Sequence, residues 1–341
     1  MMLRLLRNPR FQKTAVIAIA VIVWLIYAIS GQGIEFFSTY RDLVLQPQNL
    51  VSRFGVPLTY NPPWVGLILA PFIVMPGKSG YLLFMVVTIL MFWYATREFS
   101  GKLAFLLVSA QLSWILFWGQ IEALVMLGIA LGWSALKTHS WPRMILALLL
   151  AVLKPQIGLV PILAIWWWSG KDRWKSLLGF LIVVLLSILM YGPWPVWFVQ
   201  NVVKISTDNS IYHLWNSSIG VWALPLFIPA LALKMNRYQR LVALMATGML
   251  ASPYMPYYST ILLFCFALPG WSVFFAVLGY FYSIISPVVA WNGIVFFPIC
   301  VLVWLYLPYI KNLPMVKKMR GGIRPGSTPI GPSQMNLTRQ T

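Results

Sequence analysis

The sequence predicts an all-α protein, a polytopic helical bundle embedded in a membrane. Hydrophobic residues make up 60% of the 341 positions and charged residues only 9%. Soluble domains run nearer to about 45–50% apolar and about 25% charged. A soluble globule, a disordered chain and a coiled coil are thereby excluded. The net charge is +19, from 25 Lys and Arg against 6 Asp and Glu. Those bases form short clusters between apolar runs, as cytoplasmic loops of membrane proteins do. They make no basic stripe on a polar face, so nucleic acid is not expected as a partner.

A spanning helix needs about 20 apolar residues, fewer where it crosses only part way. Such segments occupy 14–30, 63–76, 79–96, 103–118, 121–136, 143–154 and 156–169. They continue at 175–191, 218–233, 239–253, 257–269, 271–287 and 292–309. Arg4, Arg7, Arg10 and Lys13 precede the first, which reads as an anchor with a cytoplasmic N-terminus. Residues 1–310 thus form the bundle, and 311–341 read as a basic, flexible cytoplasmic tail rich in Gly, Pro and Ser. Lys317, Lys318 and Arg320 of that tail suit anionic headgroups among the membrane lipids.

Two cytoplasmic termini require an even number of crossings. Treating 63–76 and 79–96 as one broken or re-entrant crossing, interrupted at Pro76 and Gly77, gives about twelve. Arg97/Lys102, Lys137/Arg143, Lys171/Arg173/Lys175 and Lys234/Arg237/Arg240 then all face the cytoplasm. Fusing 143–169 through Lys154-Pro155 instead would put the first two clusters outside, against the charge rule. The preferred scheme leaves two long outer loops, 31–62 and 192–217, and short outer turns near 119–122, 154–156, 254–257 and 288–291.

In this scheme every basic residue except Arg41, Arg53, Lys154 and Lys204 lies inside. Glu98 and Asp172 stand among cytoplasmic bases and read as their surface partners. Glu35, Asp42, Glu122 and Asp208 all fall outside. A chain so poor in acids that keeps these on one side predicts a polar site there.

The loop 31–62 is the most informative stretch. Ile34 to Leu45 predicts an interfacial helix with Ile34, Phe37, Tyr40 and Val44 on its apolar face. Glu35 and Asp42 stand about two helical turns apart, so both carboxylates share one face. Pro47 ends the helix, and Tyr60-Asn61-Pro62-Pro63 leads the chain back into the bilayer. An amphipathic connector with solvated charges is the competing reading. Lys154 lies between apolar runs, where a lysine costs roughly 2.5–3.5 kcal/mol to insert. It needs a partner, a wet cavity or an interface to snorkel to. Pro155 breaks the helix beside it, which lipid tolerates where the backbone lines a cavity. An anion, most naturally a phosphate, suits such an ammonium.

Gly119-Gln120-Ile121-Glu122 is a short polar interruption between apolar segments. Trp215-Asn216-Ser217-Ser218 and Ser252-Pro253-Tyr254-Met255-Pro256-Tyr257-Tyr258 are polar and aromatic outer elements. Their aromatics fit an interfacial belt first, and a surface on which sugars stack as the functional alternative. Cys265 and Cys300 lie inside apolar runs as buried small hydrophobes. His139 and His213 fall on opposite sides of the membrane and cannot share a metal. P-loop, dinucleotide-binding and zincin motifs are absent, and with them any support for ATP coupling, dinucleotide cofactors or zincin chemistry.

These pieces, in this order, resemble glycosyltransferase family 87, the polyprenyl-phosphate-mannose-dependent mannosyltransferase-like group of the GT-C superfamily. The likeness runs over roughly residues 14–310 and rests on Glu35-Phe36-Phe37-Ser38-Thr39-Tyr40, Tyr60-Asn61-Pro62-Pro63, Gly119-Gln120, Lys154-Pro155, Asn216-Ser217-Ser218 and Ser252-Pro253-Tyr254. It implies a GT-C-type bundle with an extracytoplasmic active site in a prokaryotic inner membrane. It also implies a polyprenyl-phosphate sugar as donor, mannosyl above all, and a glycan or glycolipid as acceptor. Glu35 takes the place of the family's usual aspartate as general base, and Glu122 stands where asparagine is common. Tyr257 and Tyr258 occupy the loop where many members have His or Asp.

The expected chemistry is inverting sugar transfer, with Glu35, or else Asp42, taking the acceptor proton. Lys154 holds the donor phosphate and stabilises the leaving group, with Arg41 and Arg53 as lesser candidates. Gln120, Glu122, Asn216, Tyr254, Tyr257 and Tyr258 contact sugar or acceptor. No cofactor and no metal are expected, since no Asp-x-Asp pair is present. The rival expectation is a membrane transporter or lipid flippase without transfer chemistry, which would place polar groups near the bilayer midplane.

Overall fold

Apolar periodicity without strand alternation becomes helix throughout the computed structural model. It describes residues 14, 18, 21–22, 25–26, 29–45, 61–207, 216–281 and 293–311. Among these residues every regular element is helical, with isolated bridges at Ser100–Phe266 and Asn216–Pro256. Arg53, Lys317, Lys318 and Arg320, with the rest of 46–60, 208–215 and 312–341, lie outside the described residues.

A π-helical turn, Glu35–Tyr40, leads into α1 (Arg41–Leu45). Then come α2 (Trp64–Ile73), α3 (Ser79–Glu98), α4 (Leu103–Leu107), α5 (Ala110–Trp118), α6 (Glu122–Thr138), α7 (Trp141–Ala151) and α8 (Pro155–Trp168). The chain continues through α9 (Arg173–Tyr191), α10 (Trp194–Thr207), α11 (Phe227–Ala232), α12 (Arg237–Ala251), α13 (Ile261–Phe264), α14 (Val273–Leu278) and α15 (Phe296–Lys311). The core is built on α6, which packs against α3, α7 and α8, while α12 packs against α8 and α15.

Ser79–Glu98 and Gly170–Tyr191 are each long and apolar enough to cross a membrane. The third candidate is broken: α5 and α6 meet at 113° across residues 119–121. The bend falls at the short turn expected near 119–122, because Gly119 adopts φ +75° and stops α5 in a left-handed cap. Other expectations change. The segment 103–118 is two helices, split where the Ser109 hydroxyl caps the Leu112 N–H. The segment 257–269 opens with a 3₁₀ turn, Tyr257–Thr260, and a short helix. The expected outer loop 192–217 begins as helix α10.

The two ends of the bundle differ in chemistry. A small cleft brings together Ala135, His139, Trp168, Asp172 and Arg237, so α6 and α8 end where α12 begins. Lys137–Glu98 and Lys175–Asp172 ion pairs at this end give both acids the basic surface partners expected of them. The opposite ends of the same helices carry Glu122, Lys154 and Ala251, the last two lining a larger cavity.

Candidate functional site

Residues before proline are pushed into extended backbone. Lys154 leaves the helical region ahead of Pro155, with φ −125° and ψ +84°, so the α7–α8 corner turns its side chain out of either helix. Gly158 makes the corner tight: a Cβ there would stand 1.9 Å from the Ala151 carbonyl oxygen. The Lys154 ammonium donates to Gln120 Oε1 at 2.7 Å and to Glu122 Oε1 at 2.7 Å. Its side chain is 7% exposed and that of Glu122 is 0%. A charge so placed is tolerated only when paired and hydrogen-bonded.

Glu122 opens α6, where the helix dipole favours a carboxylate. Its Oε1 also accepts from the Ser259 hydroxyl at 2.9 Å. Its Oε2 is buried and accepts no hydrogen bond among the described residues. The Tyr258 ring lies 5.5 Å from the Lys154 ammonium, within cation–π range.

Lys154 forms part of the wall of a cavity of about 470 Å³, and Glu35, Tyr40, Asn61, Gln120, Tyr254 and Tyr258 supply most of the other polar lining. A second wall is apolar, from Leu159, Val160, Phe198, Leu224 and Phe227. Glu35 reaches the cavity because Phe36 wedges against Gly119, where a Cβ would lie 2.7 Å from the Phe36 Cβ. The Gly33 N–H also ties to the Phe117 carbonyl at 2.9 Å. Tyr40 is fully buried, and Asn61 donates to its hydroxyl at 3.4 Å. Burial, then the charges of Glu35 and Glu122, push the Tyr40 phenol well above its ordinary pKa. One phenol therefore feels carboxylates from two separate segments.

The remaining candidates are placed differently from the expectation. Asp42 does not line the cavity, because the π turn closes through an Arg41 N–H to Phe36 carbonyl bond, one residue wider than an α turn. The register shifts, Phe36, Tyr40 and Leu43 become the buried face, and Ile34 is exposed. Glu35 and Asp42 thus lose their common face. Arg41 is exposed and stands off the cavity, and Arg53 lies outside the described residues. Glu122 cannot touch a sugar, since it is sealed behind Lys154. Tyr257 is fully buried against Trp114, with ring centroids 5.9 Å apart. Asn216 spends its side-chain oxygen on the N–H groups of Ser218 and Met255, at 3.1 and 2.9 Å, and so holds the Ser252–Pro256 loop that presents Tyr254.

Sequence reasoning passed over Ser259 and Gln156. Gln156 lines the cavity and was signalled by its place directly after Lys154-Pro155. Ser259 was signalled by nothing, being one more hydroxyl at the end of an aromatic loop. No family model, curated protein or solved structure matches this chain.

Proposed function

We propose that this chain is an integral membrane glycosyltransferase that moves a sugar, mannose by the sequence resemblance, from a polyprenyl-phosphate donor to a glycan or glycolipid acceptor. In this reading the bundle makes about twelve crossings, with the cavity end facing away from the cytoplasm and the basic end facing it. The observation that carries it is one cavity lined by both a carboxylate, Glu35, and a buried ammonium, Lys154. Glu35 takes the acceptor hydroxyl proton, and Lys154 donates to a phosphate oxygen. Tyr254 and Tyr258 offer ring faces to the sugar, and the wall of Leu159, Phe198, Leu224 and Phe227 suits an isoprenoid chain.

The buried Lys154–Glu122 pair at a helix break also supports a second reading, a carrier for lipid-linked sugars without transfer chemistry. The deciding experiment supplies labelled polyprenyl-phosphate sugars to the purified chain and to Glu35→Gln and Asp42→Asn. Glu35→Gln is expected to lower transfer by about 10²–10⁴, the usual contribution of a general base. Asp42→Asn is expected to transfer normally. Undiminished transfer by Glu35→Gln removes the base assignment, and lipid translocation without transfer favours the carrier.

A further inference from the structure

Lys154 is held by two acceptors, Gln120 and Glu122, each at 2.7 Å. An ammonium has three donors, so one N–H remains for a ligand. Its charge is also matched already, because Glu122 is buried directly behind it and Ser259 fixes that carboxylate. The Glu122 Oε2 stays buried without a hydrogen bond among the described residues. Glu35 lines the same cavity and becomes neutral when it takes the acceptor proton, so Glu122 is the carboxylate whose charge persists after transfer.

We infer that Glu122 makes the cavity a charge filter, which accepts the singly charged phosphodiester of a lipid-phosphate sugar and disfavours the doubly charged phosphomonoester left after transfer. This rests on the donor reading above and adds to it how the product leaves. In the transfer step the acceptor oxygen bonds to the anomeric carbon, and the carbon–oxygen bond to phosphate breaks with its electron pair staying on phosphate. The acceptor proton goes to Glu35. The lipid phosphate thereby gains one negative charge at the Lys154 ammonium, which has one N–H and no spare charge to offer it. Glu122 is a positioning residue here, acting through Lys154.

The test measures binding of farnesyl phosphate, a monoester, and methyl farnesyl phosphate, a diester, to the full chain in lipid nanodiscs by calorimetry. Wild type is expected to prefer the diester above the second ionisation of the monoester, near pH 6, and to lose that preference as pH falls from about 8 to about 5. Glu35, Glu122, Lys154, Tyr40, Tyr254 and Tyr258 are the described titratable groups around the cavity. The diester, carried through the same pH series, reports their contribution. Glu122→Gln is expected to tighten the monoester relative to the diester on the order of tenfold, within the range that single charges produce at close charge pairs. Asp42→Asn removes a carboxylate that does not line the cavity and is expected to keep the wild-type ratio. A wild type without diester preference at pH 8 overturns the filter, as does a Glu122→Gln ratio equal to wild type or an Asp42→Asn ratio that shifts as far. Should Glu122→Gln not fold, the wild-type pH series decides alone. A wild type that binds neither lipid overturns the donor reading itself, and the filter falls with it.

Discussion

Two ion pairs of nearly equal length stand at opposite ends of this bundle. Lys137 meets Glu98 at 2.6 Å, and Lys154 meets Glu122 at 2.7 Å. Their surroundings share nothing. Side-chain exposure is 58% and 18% for the first pair, and 7% and 0% for the second. Distance therefore says little about what a pair is for. An exposed pair exchanges water contacts for each other at small net gain. A buried pair must overcome the desolvation of both ions, and its attraction often only breaks even. A chain with 6 acids that sinks one of them beside a lysine is spending stability there.

The sharpest way to break this comparison is to remove one buried partner and then both. Glu122→Ala leaves the Lys154 ammonium uncompensated and is expected to cost about 3–5 kcal/mol of stability. Glu122→Leu combined with Lys154→Met removes both charges and is expected to recover most of that loss while abolishing transfer. Thermal unfolding in detergent, beside a transfer assay, reads both quantities. A double variant as unstable as Glu122→Ala would show that the pair holds the fold together, and the contrast between the two ends would disappear.

Gly158→Ala asks whether the corner carrying Lys154 has slack. A methyl at 1.9 Å from the Ala151 carbonyl must push α8 away from α7. Overpacking of this kind costs typically about 1–3 kcal/mol. Lys154 sits in the turn between those helices, so transfer should fall further than stability does. Equal activity at reduced stability would mean that the ammonium finds its partners without the tight corner.

How much of this was legible follows from what each signal measures. Hydropathy counts carbon, so it found the helical class and the long apolar helices Ser79–Glu98 and Gly170–Tyr191. Charge scarcity marked Lys154, Glu35 and Glu122, since an ion in an apolar run needs a reason. Spacing failed where backbone geometry departs from the α-helix. The π turn at Glu35–Tyr40 moved Asp42 off the face it shares with Glu35 in a regular helix. Pairing was also beyond reach: Glu122 and Ser259 are separated by 137 positions, and only the packing of the Tyr257–Thr260 turn against α5, just ahead of Glu122, unites them. Sequence shows which groups are costly to bury, and the fold decides which of them meet.

Ser259→Ala removes one hydrogen bond to a buried carboxylate and keeps every charge. Hydrogen bonds to charged groups are worth about 1.5–3 kcal/mol, so a loss at the lower edge of that range is expected in the same unfolding assay. A loss as large as that of Glu122→Ala would mean that the hydroxyl, rather than the ammonium, stabilises this carboxylate.

The smallest effect is expected at the other end. Lys137→Ala deletes an ion pair whose lysine is largely in solvent, and such pairs contribute about 0–1 kcal/mol. What little it contributes should fade as salt rises, because mobile ions screen exposed charges over about 8 Å at physiological strength. The Lys154–Glu122 pair, shielded by protein, should keep its contribution across the same salt series. Unfolding of wild type, Lys137→Ala and the paired Glu122→Leu, Lys154→Met variant at low and high salt compares the two directly. If salt moves the buried pair as much as the exposed one, water reaches Glu122, and the site at the cavity end is no drier than the surface pair at the basic end.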